Sequence, residues 1–194
     1  MNKPSNIKKQ IITIAGRPGS GKSTTAKGVT AYLGFQHFSS GDLFRALARE
    51  KGVDVLQANL TAEENAEIDH AVDGRLREIG KTENQLVIDS RTAWHWMPQS
   101  YKVFLDLDLE VAAQRILNNM DDARLESEHI HRDPAEYANV LRRRLDSETR
   151  RYKVLYDIDP YDLSNYDLVV DTGTNNPEQA VDKIIEGYKK WLET

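Results

Sequence analysis

At 194 residues the chain is sized for one domain that can bury a substantial core, and its 39% hydrophobic and 29% charged residues suit a globular protein in water. It has no cysteine, which excludes disulfides and thiolate metal sites, and a polar N-terminus without a signal-peptide core, so a cytoplasmic location is expected. No apolar run approaches membrane-spanning length, and the net charge of -5 argues against nucleic acid as a partner.

Ile11-Ile12-Thr13-Ile14-Ala15 is a short, apolar, β-branched run that reads as a buried strand. Gly16-Arg17-Pro18-Gly19-Ser20-Gly21-Lys22-Ser23-Thr24 follows, and it fits the P-loop pattern of a glycine, four residues, then Gly-Lys-Ser/Thr. Ala26, Val29, Thr30 and Leu33 then recur at helical spacing. A glycine-rich turn between a strand and a helix lets successive amides converge on an anion at a helix N-terminus. Lys22 adds positive charge for the β- and γ-phosphates, and Ser23 offers a hydroxyl to Mg²⁺. Residues 16 to 24 are therefore the expected nucleoside triphosphate site.

Gly34 is placed to end the first helix, and Phe35 to Ser39 reads as a second strand. Ser40 is expected to cap the next helix, whose apolar stripe is Leu43, Leu47 and Ala48, with Arg45 in its second turn away from that stripe. Thr61-Ala62-Glu63-Glu64 is a capping box before a helix through Ile68, Val72, Leu76 and Ile79, with Gly80 as its stop. Leu86 to Asp89 is a strand that delivers a carboxylate beside the phosphate loop, where Asp89 would hold Mg²⁺ through water. Arg91 then falls at the carboxyl edge of the sheet, where open α/β folds bind ligands. His95, between Trp94 and Trp96, reads as packing.

Lys102 to Asp108 predicts a further strand and Leu109 to Met120 a helix, followed by a polar loop or flap up to Asp133. Asp133 and Pro134 open a long helix with Arg142, Arg143, Arg144, Arg150 and Arg151, its buried side marked by Leu141, Leu145 and Val154-Leu155. Arg144 and Arg151 share a face with Glu148 between them, which suits gripping a phosphate; Arg143 with Arg150 is the alternative alignment. Tyr166 to Asp171 is the last strand, and Pro177 starts the final helix. The alternation predicts an α/β fold with a doubly wound, mainly parallel, five-stranded sheet flanked by helices.

On the loop at 16 to 24, Ser40-Gly41-Asp42-Leu43-Phe44-Arg45, Asp89-Ser90-Arg91, Gln114-Arg115-Ile116, the arginine helix through Arg151-Tyr152-Lys153, and Asp159 with Tyr166-Asp167-Leu168-Val169, the chain resembles the nucleoside monophosphate kinases, most of all the short cytidylate kinases. The resemblance implies ATP on residues 16 to 24 with Mg²⁺ at Ser23 and Asp89. It implies a monophosphate acceptor, CMP or dCMP before AMP or UMP, held by Ser40, Asp42, Arg45, Arg91, Arg144, Glu148 and Arg151. Lys22, Arg115, Arg144 and Arg151 would act on the transferring group. Implied too are a core at 8–40, 84–117 and 154–194, a helical acceptor-binding part at 41–83, and a lid and arginine helix at about 118–153. The expected partners are small nucleotides, acting on a monomer, with no nucleic acid and no membrane. A second lid arginine expected soon after Arg115 is replaced by Asn118 and Asn119, with Arg124 or Arg132 as substitutes.

Overall fold

A computed structural model describes residues 10–52, 67–120 and 132–194. Five parallel strands form one sheet in the order β2-β3-β1-β4-β5: β1 Ile11–Gly16, β2 Gln36–Ser39, β3 Leu86–Asp89, β4 Tyr101–Asp106 and β5 Leu168–Asp171. The described helices are α1 Lys22–Leu33, α2 Ser40–Glu50, α3 Glu67–Thr82, α4 Ala93–Trp96, α5 Leu109–Asn118, α6 Pro134–Tyr156 and α7 Pro177–Glu193.

Every residue of β1 is buried because the strand is central and helices cover both faces of the sheet. Ile12 and Ile14 point to the side packed by Ala26 and Val29 of α1 and Ile184, Ile185 and Tyr188 of α7. Ile11 points the other way, onto Val72, Leu76 and Ile79 of α3 and onto Met97. Ala15, also on that side, joins Phe104, Trp94 and Tyr152. Coverage on both faces is why the sequence shows a continuous apolar run rather than alternation. The parallel arrangement brings the carboxyl ends of the strands, and the turns after them, to one edge.

Several expected boundaries shift. Ser39, not Ser40, caps α2 by accepting from the Asp42 amide at 3.3 Å, while Ser40 starts the helix and its Oγ donates to the Asp89 carbonyl at 3.2 Å. Gly80 does not stop α3, which runs to Thr82. Its missing Cβ makes room for Met97, whose Cγ lies 2.8 Å from where a Cβ would stand. β4 begins at Tyr101 and ends at Asp106, and α5 ends at Asn118 rather than Met120. β5 begins at Leu168, because Asp167 instead clamps Lys102, its amide donating to the Lys102 carbonyl and its carboxylate accepting the Lys102 amide, both at 2.8 Å. Val154 is 86% exposed, so the buried side of α6 is set by Leu141, Leu145, Glu148 and Tyr152. The capping box at 61–64, Arg124 and most of the expected flap lie outside the described residues. The caps at Gly34, Asp133 and Asn176 fall where they were expected or adjoin the expected start, Asp133 accepting from the Ala135 amide at 2.8 Å.

Candidate active site

The turn after β1 is built around glycines, with positive φ at Gly16, Gly19 and Gly21. A Cβ on Gly16 would collide with the Leu105 carbonyl oxygen, since the Arg17 amide binds that same carbonyl at 3.1 Å and draws the two strand ends together. Gly21, at φ 80°, is the N-cap of α1 and supplies no side-chain cap, so the first amides of the helix face the loop. Lys22 folds back across this turn, Nζ donating to the carbonyls of Gly16 at 3.1 Å and Arg17 at 3.3 Å. Burial depresses the Lys22 ammonium to a pKa of about 8, and Arg91 pushes in the same direction against partial support from Asp89 and Glu148. Arg17 turns outward to pair with Asp106 at 2.6 Å, holding the loop to the end of β4.

Ser23 Oγ donates to Asp89 Oδ2 at 2.6 Å, which joins the first turn of α1 to the end of β3. Both are oxygen donors beside the phosphate loop, the type of set that suits a hard divalent cation retaining several waters. Among the described residues no group of three or more His, Cys, Asp or Glu is placed to hold a metal. Ser23 and Asp89 therefore fit Mg²⁺ only with further oxygens from water and a bound phosphate.

Two clefts open on this edge. The larger, about 620 Å³, runs from Gly19, Ser20 and Gly21 to Arg115 and Asn119 on one side and Thr172 and Asn176 on the other. Arg115 lies here with its Nη2 donating to the Thr172 carbonyl at 2.8 Å, while Asn119 donates to the Arg115 carbonyl at 2.7 Å. Arg115 is thus in the triphosphate-loop cleft and not with the other arginines. Asn119, one of the two residues standing where a second lid arginine was expected, is part of the cleft wall.

The smaller cleft, about 110 Å³, brings together Ser40, Arg45, Arg91, Arg144, Glu148 and Arg151 from α2, the β3 turn and α6. Glu148 is its hub. The carboxylate is 6% exposed and ion-paired with Arg91 Nε at 2.8 Å and Arg144 Nε at 3.0 Å, and it accepts the Tyr161 hydroxyl. Burial alone would raise its pKa, but Arg91, Arg144 and Tyr161 outweigh that and hold it at about 2. Trp94 Nε1 donates to the Arg91 carbonyl at 2.9 Å and fixes the backbone beneath this guanidinium. Arg151 faces Asp69 Oδ2 at 3.4 Å and lies over the Tyr152 ring, and Arg144, although exposed like Arg143 and Arg150, lines the cleft with it; the alignment of 144 with 151 is the one that reaches the cleft. Asp42 does not line it. Exposed on the first turn of α2, Asp42 holds Arg45 Nη2 at 2.6 Å.

Lys22 interacts electrostatically with Arg91, Asp89, Glu148 and Arg144, so the ammonium stands between the loop and the arginine cluster. The chain is 42% identical over 185 residues to a cytidylate kinase of Haloarcula marismortui, covering 93% of this chain and 90% of that protein. The chain belongs to the cytidylate kinase family. A second cytidylate kinase, from Halobacterium salinarum, is 36% identical over 179 residues, with 91% and 88% covered. A family profile described as an AAA domain matches residues 15–154, from the end of β1 almost to the end of α6. In fold alone, this cytidylate kinase family member also superposes on a shikimate kinase of Aquifex aeolicus, with a TM-score of 0.57 at 19% identity over 93% of this chain and 97% of that one.

Asp69, Asp73, Thr92 and Tyr152 line the smaller cleft of this cytidylate kinase family member, and Tyr161 bonds its hub; sequence reasoning singled out none of them. For Asp69 and Asp73 a signal existed. They stand four apart on the flank of the Val72, Leu76, Ile79 stripe, where a solvated helix face would not place two carboxylates. For Tyr161 no local signal exists, because its partner on α6 is thirteen residues away. His95 packs against Trp94 and Trp96, and the described helices include none long and apolar enough to cross a membrane.

Proposed function

We propose that this protein transfers the γ-phosphoryl group of ATP to CMP or dCMP, giving ADP and the corresponding diphosphate. The observation that carries the reading is the arrangement of two clefts about Lys22, one running from the P-loop and the other lined by Arg45, Arg91, Arg144 and Arg151. Guanidinium groups from three separate segments converge on one small volume, and Glu148 pairs two of them, Arg91 and Arg144, at once, so positive charge is left there for an anion to meet. The naming of the relatives as cytidylate kinases supports cytidine as the acceptor.

On this reading an oxygen of the acceptor phosphate forms a bond to the γ-phosphorus as the bond from that phosphorus to the β,γ-bridging oxygen breaks, and the bridging oxygen leaves on ADP. A phosphate monoester has a second pKa of about 6, so the attacking oxygen carries no proton near neutral pH and no general base is required. The amides of residues 19 to 24 and Lys22 bind and orient the triphosphate. Arg91, Arg144 and Arg45 bind the acceptor phosphate, and Glu148 keeps Arg91 and Arg144 aimed while no acceptor is present. Ser23 and Asp89 would hold Mg²⁺, which supplies charge neutralisation on the β- and γ-phosphates when bound. Bringing two polyanions into line is the main barrier, and this field of fixed positive charge lowers it. Helices α2 and α3 form the acceptor side.

Formation of ADP from ATP in the presence of CMP, dCMP, UMP, AMP or shikimate tests the proposal. CMP and dCMP are expected to give the fastest turnover; ADP formation independent of any acceptor, or shikimate preferred over every nucleotide, refutes it.

A further inference from the structure

Helix α3 places Asp69 and Asp73 one turn apart in the wall of the smaller cleft, 7% and 3% exposed. Asp73 is held on one side only. Its Oδ1 accepts from Thr92 Oγ1 and from Trp96 Nε1, both at 2.9 Å. Its Oδ2 is buried with no hydrogen-bond partner among the described residues. The Tyr156 hydroxyl, bonded with His70 Nδ1 at 3.3 Å, is a further hydrogen-bonding neighbour of the Asp73 carboxylate. Two donors thus fix the plane of the carboxylate, and its second oxygen, which makes no direct hydrogen bond among the described residues, can still accept from a ligand donor. Asp69 differs, since its bare oxygen faces Arg151.

The cleft is polarised. Arg91, Arg144 and Glu148 are the groups Lys22 interacts with, whereas Asp73 interacts with Asp69, His95 and Tyr156. A nucleotide with its phosphate on the arginines beside Lys22 therefore puts its base toward Asp73. The 4-position is where the pyrimidine bases differ: cytosine presents an amine donor and uracil a carbonyl acceptor. A fixed carboxylate oxygen binds the first and repels the second.

With the smaller cleft taken as the acceptor site, on which the inference rests, we infer that Asp73 reads the acceptor's base: its Oδ2 accepts a hydrogen bond from the 4-amine of cytosine and rejects the 4-oxo group of uracil. Asp73 is a specificity-determining residue, and Thr92 and Trp96 are its positioning residues.

The test compares kcat/KM for CMP and UMP in the native protein and in Asp73→Asn. Asparagine can still accept from Thr92 and Trp96 through its carbonyl oxygen while presenting an amide donor in place of Oδ2. The CMP-to-UMP ratio is expected to fall by about 5- to 150-fold, through loss on CMP and gain on UMP. An equal loss on both substrates, with the ratio unchanged, overturns the inference, since that is what a merely structural carboxylate would give. A second measurement needs no variant: the native protein is given a CMP analogue whose 4-amine is replaced by hydrogen. Its kcat/KM should be about 5- to 150-fold below that of CMP, and equal turnover overturns the inference. Turnover of neither CMP nor UMP by the native protein instead overturns the acceptor reading beneath it.

Discussion

Replacing Glu148 by glutamine removes one charge from the centre of the arginine cluster while keeping an oxygen for the Tyr161 hydroxyl to donate to. The folded protein holds this carboxyl at about 2 against an ordinary 4.5. At about 1.4 kcal/mol per tenfold change in an equilibrium, that difference contributes on the order of 3 kcal/mol of stability at pH 7. Removing one partner of a buried ion pair typically costs about 3–5 kcal/mol, which agrees. For a chain of this size, about 3 kcal/mol corresponds to a loss of roughly 6–12 °C in Tm. The sign with pH follows from the depressed pKa. The contribution is complete well above 4.5 and is lost as pH falls toward 2, so the gap between native protein and variant narrows to roughly half its pH 7 size by pH 3. Calorimetric melting from pH 7 to pH 3 measures both quantities. Adding inorganic phosphate or CMP should raise the Tm of the variant more than that of the native protein, because Arg91 and Arg144 have lost their internal counter-ion. A variant that melts within 2 °C of the native protein, or a gap that does not change between pH 7 and 3, would refute the reasoning.

Lys22, depressed to about 8, must be charged to hold a triphosphate, so ATP binding should take up a proton above pH 8 and weaken by up to about tenfold per pH unit as the free ammonium is lost. Calorimetric titrations in two buffers of different ionisation heat read that uptake directly; a pH-independent affinity from 7 to 10 contradicts it. Ser23→Ala and Asp89→Asn should each raise the Mg²⁺ concentration needed for half-maximal turnover by about tenfold or more while leaving CMP binding close to native. An unchanged metal requirement in both variants would remove the site. On α6, Leu145→Ala should cost about 2–5 kcal/mol and Val154→Ser no more than about 0.5, as denaturant melts will show, because only the first is buried.

What the chain decided locally was legible in order along it. The P-loop is read from spacing because its backbone geometry depends on glycines next to one another, and Gly16 and Gly21 do stand where no side chain or cap is wanted. Strand ends were approximately placed because parallel strands covered on both faces are short apolar runs bounded by polar turns, as at Ile11 and Leu86. Boundaries slipped where tertiary contacts overrode local signals: Met97 needs the space that Gly80 leaves inside α3, and Asp167 clamps Lys102 before β5 begins. The periodicity of α6 put Arg144 and Arg151 on one face without separating that pair from Arg143 and Arg150, since the deciding partners, Arg91 and Asp69, lie on other elements.

The sequence by itself determined that a phosphate-binding turn joins a strand to a helix, and that arginines stand in its company, because both follow from residue type and near-neighbour spacing. Only the tertiary structure decided which charges meet. The partners in the smaller cleft come from α2, α3, the turn after β3, α6 and the turn at Tyr161, and electrostatic energy depends on distances through space rather than along the chain. That dependence is why Glu148, half of an i, i+4 pair in the sequence, becomes the buried counter-ion of Arg91, and why Asp73, beside the α3 stripe, meets Thr92 and Trp96 from another segment.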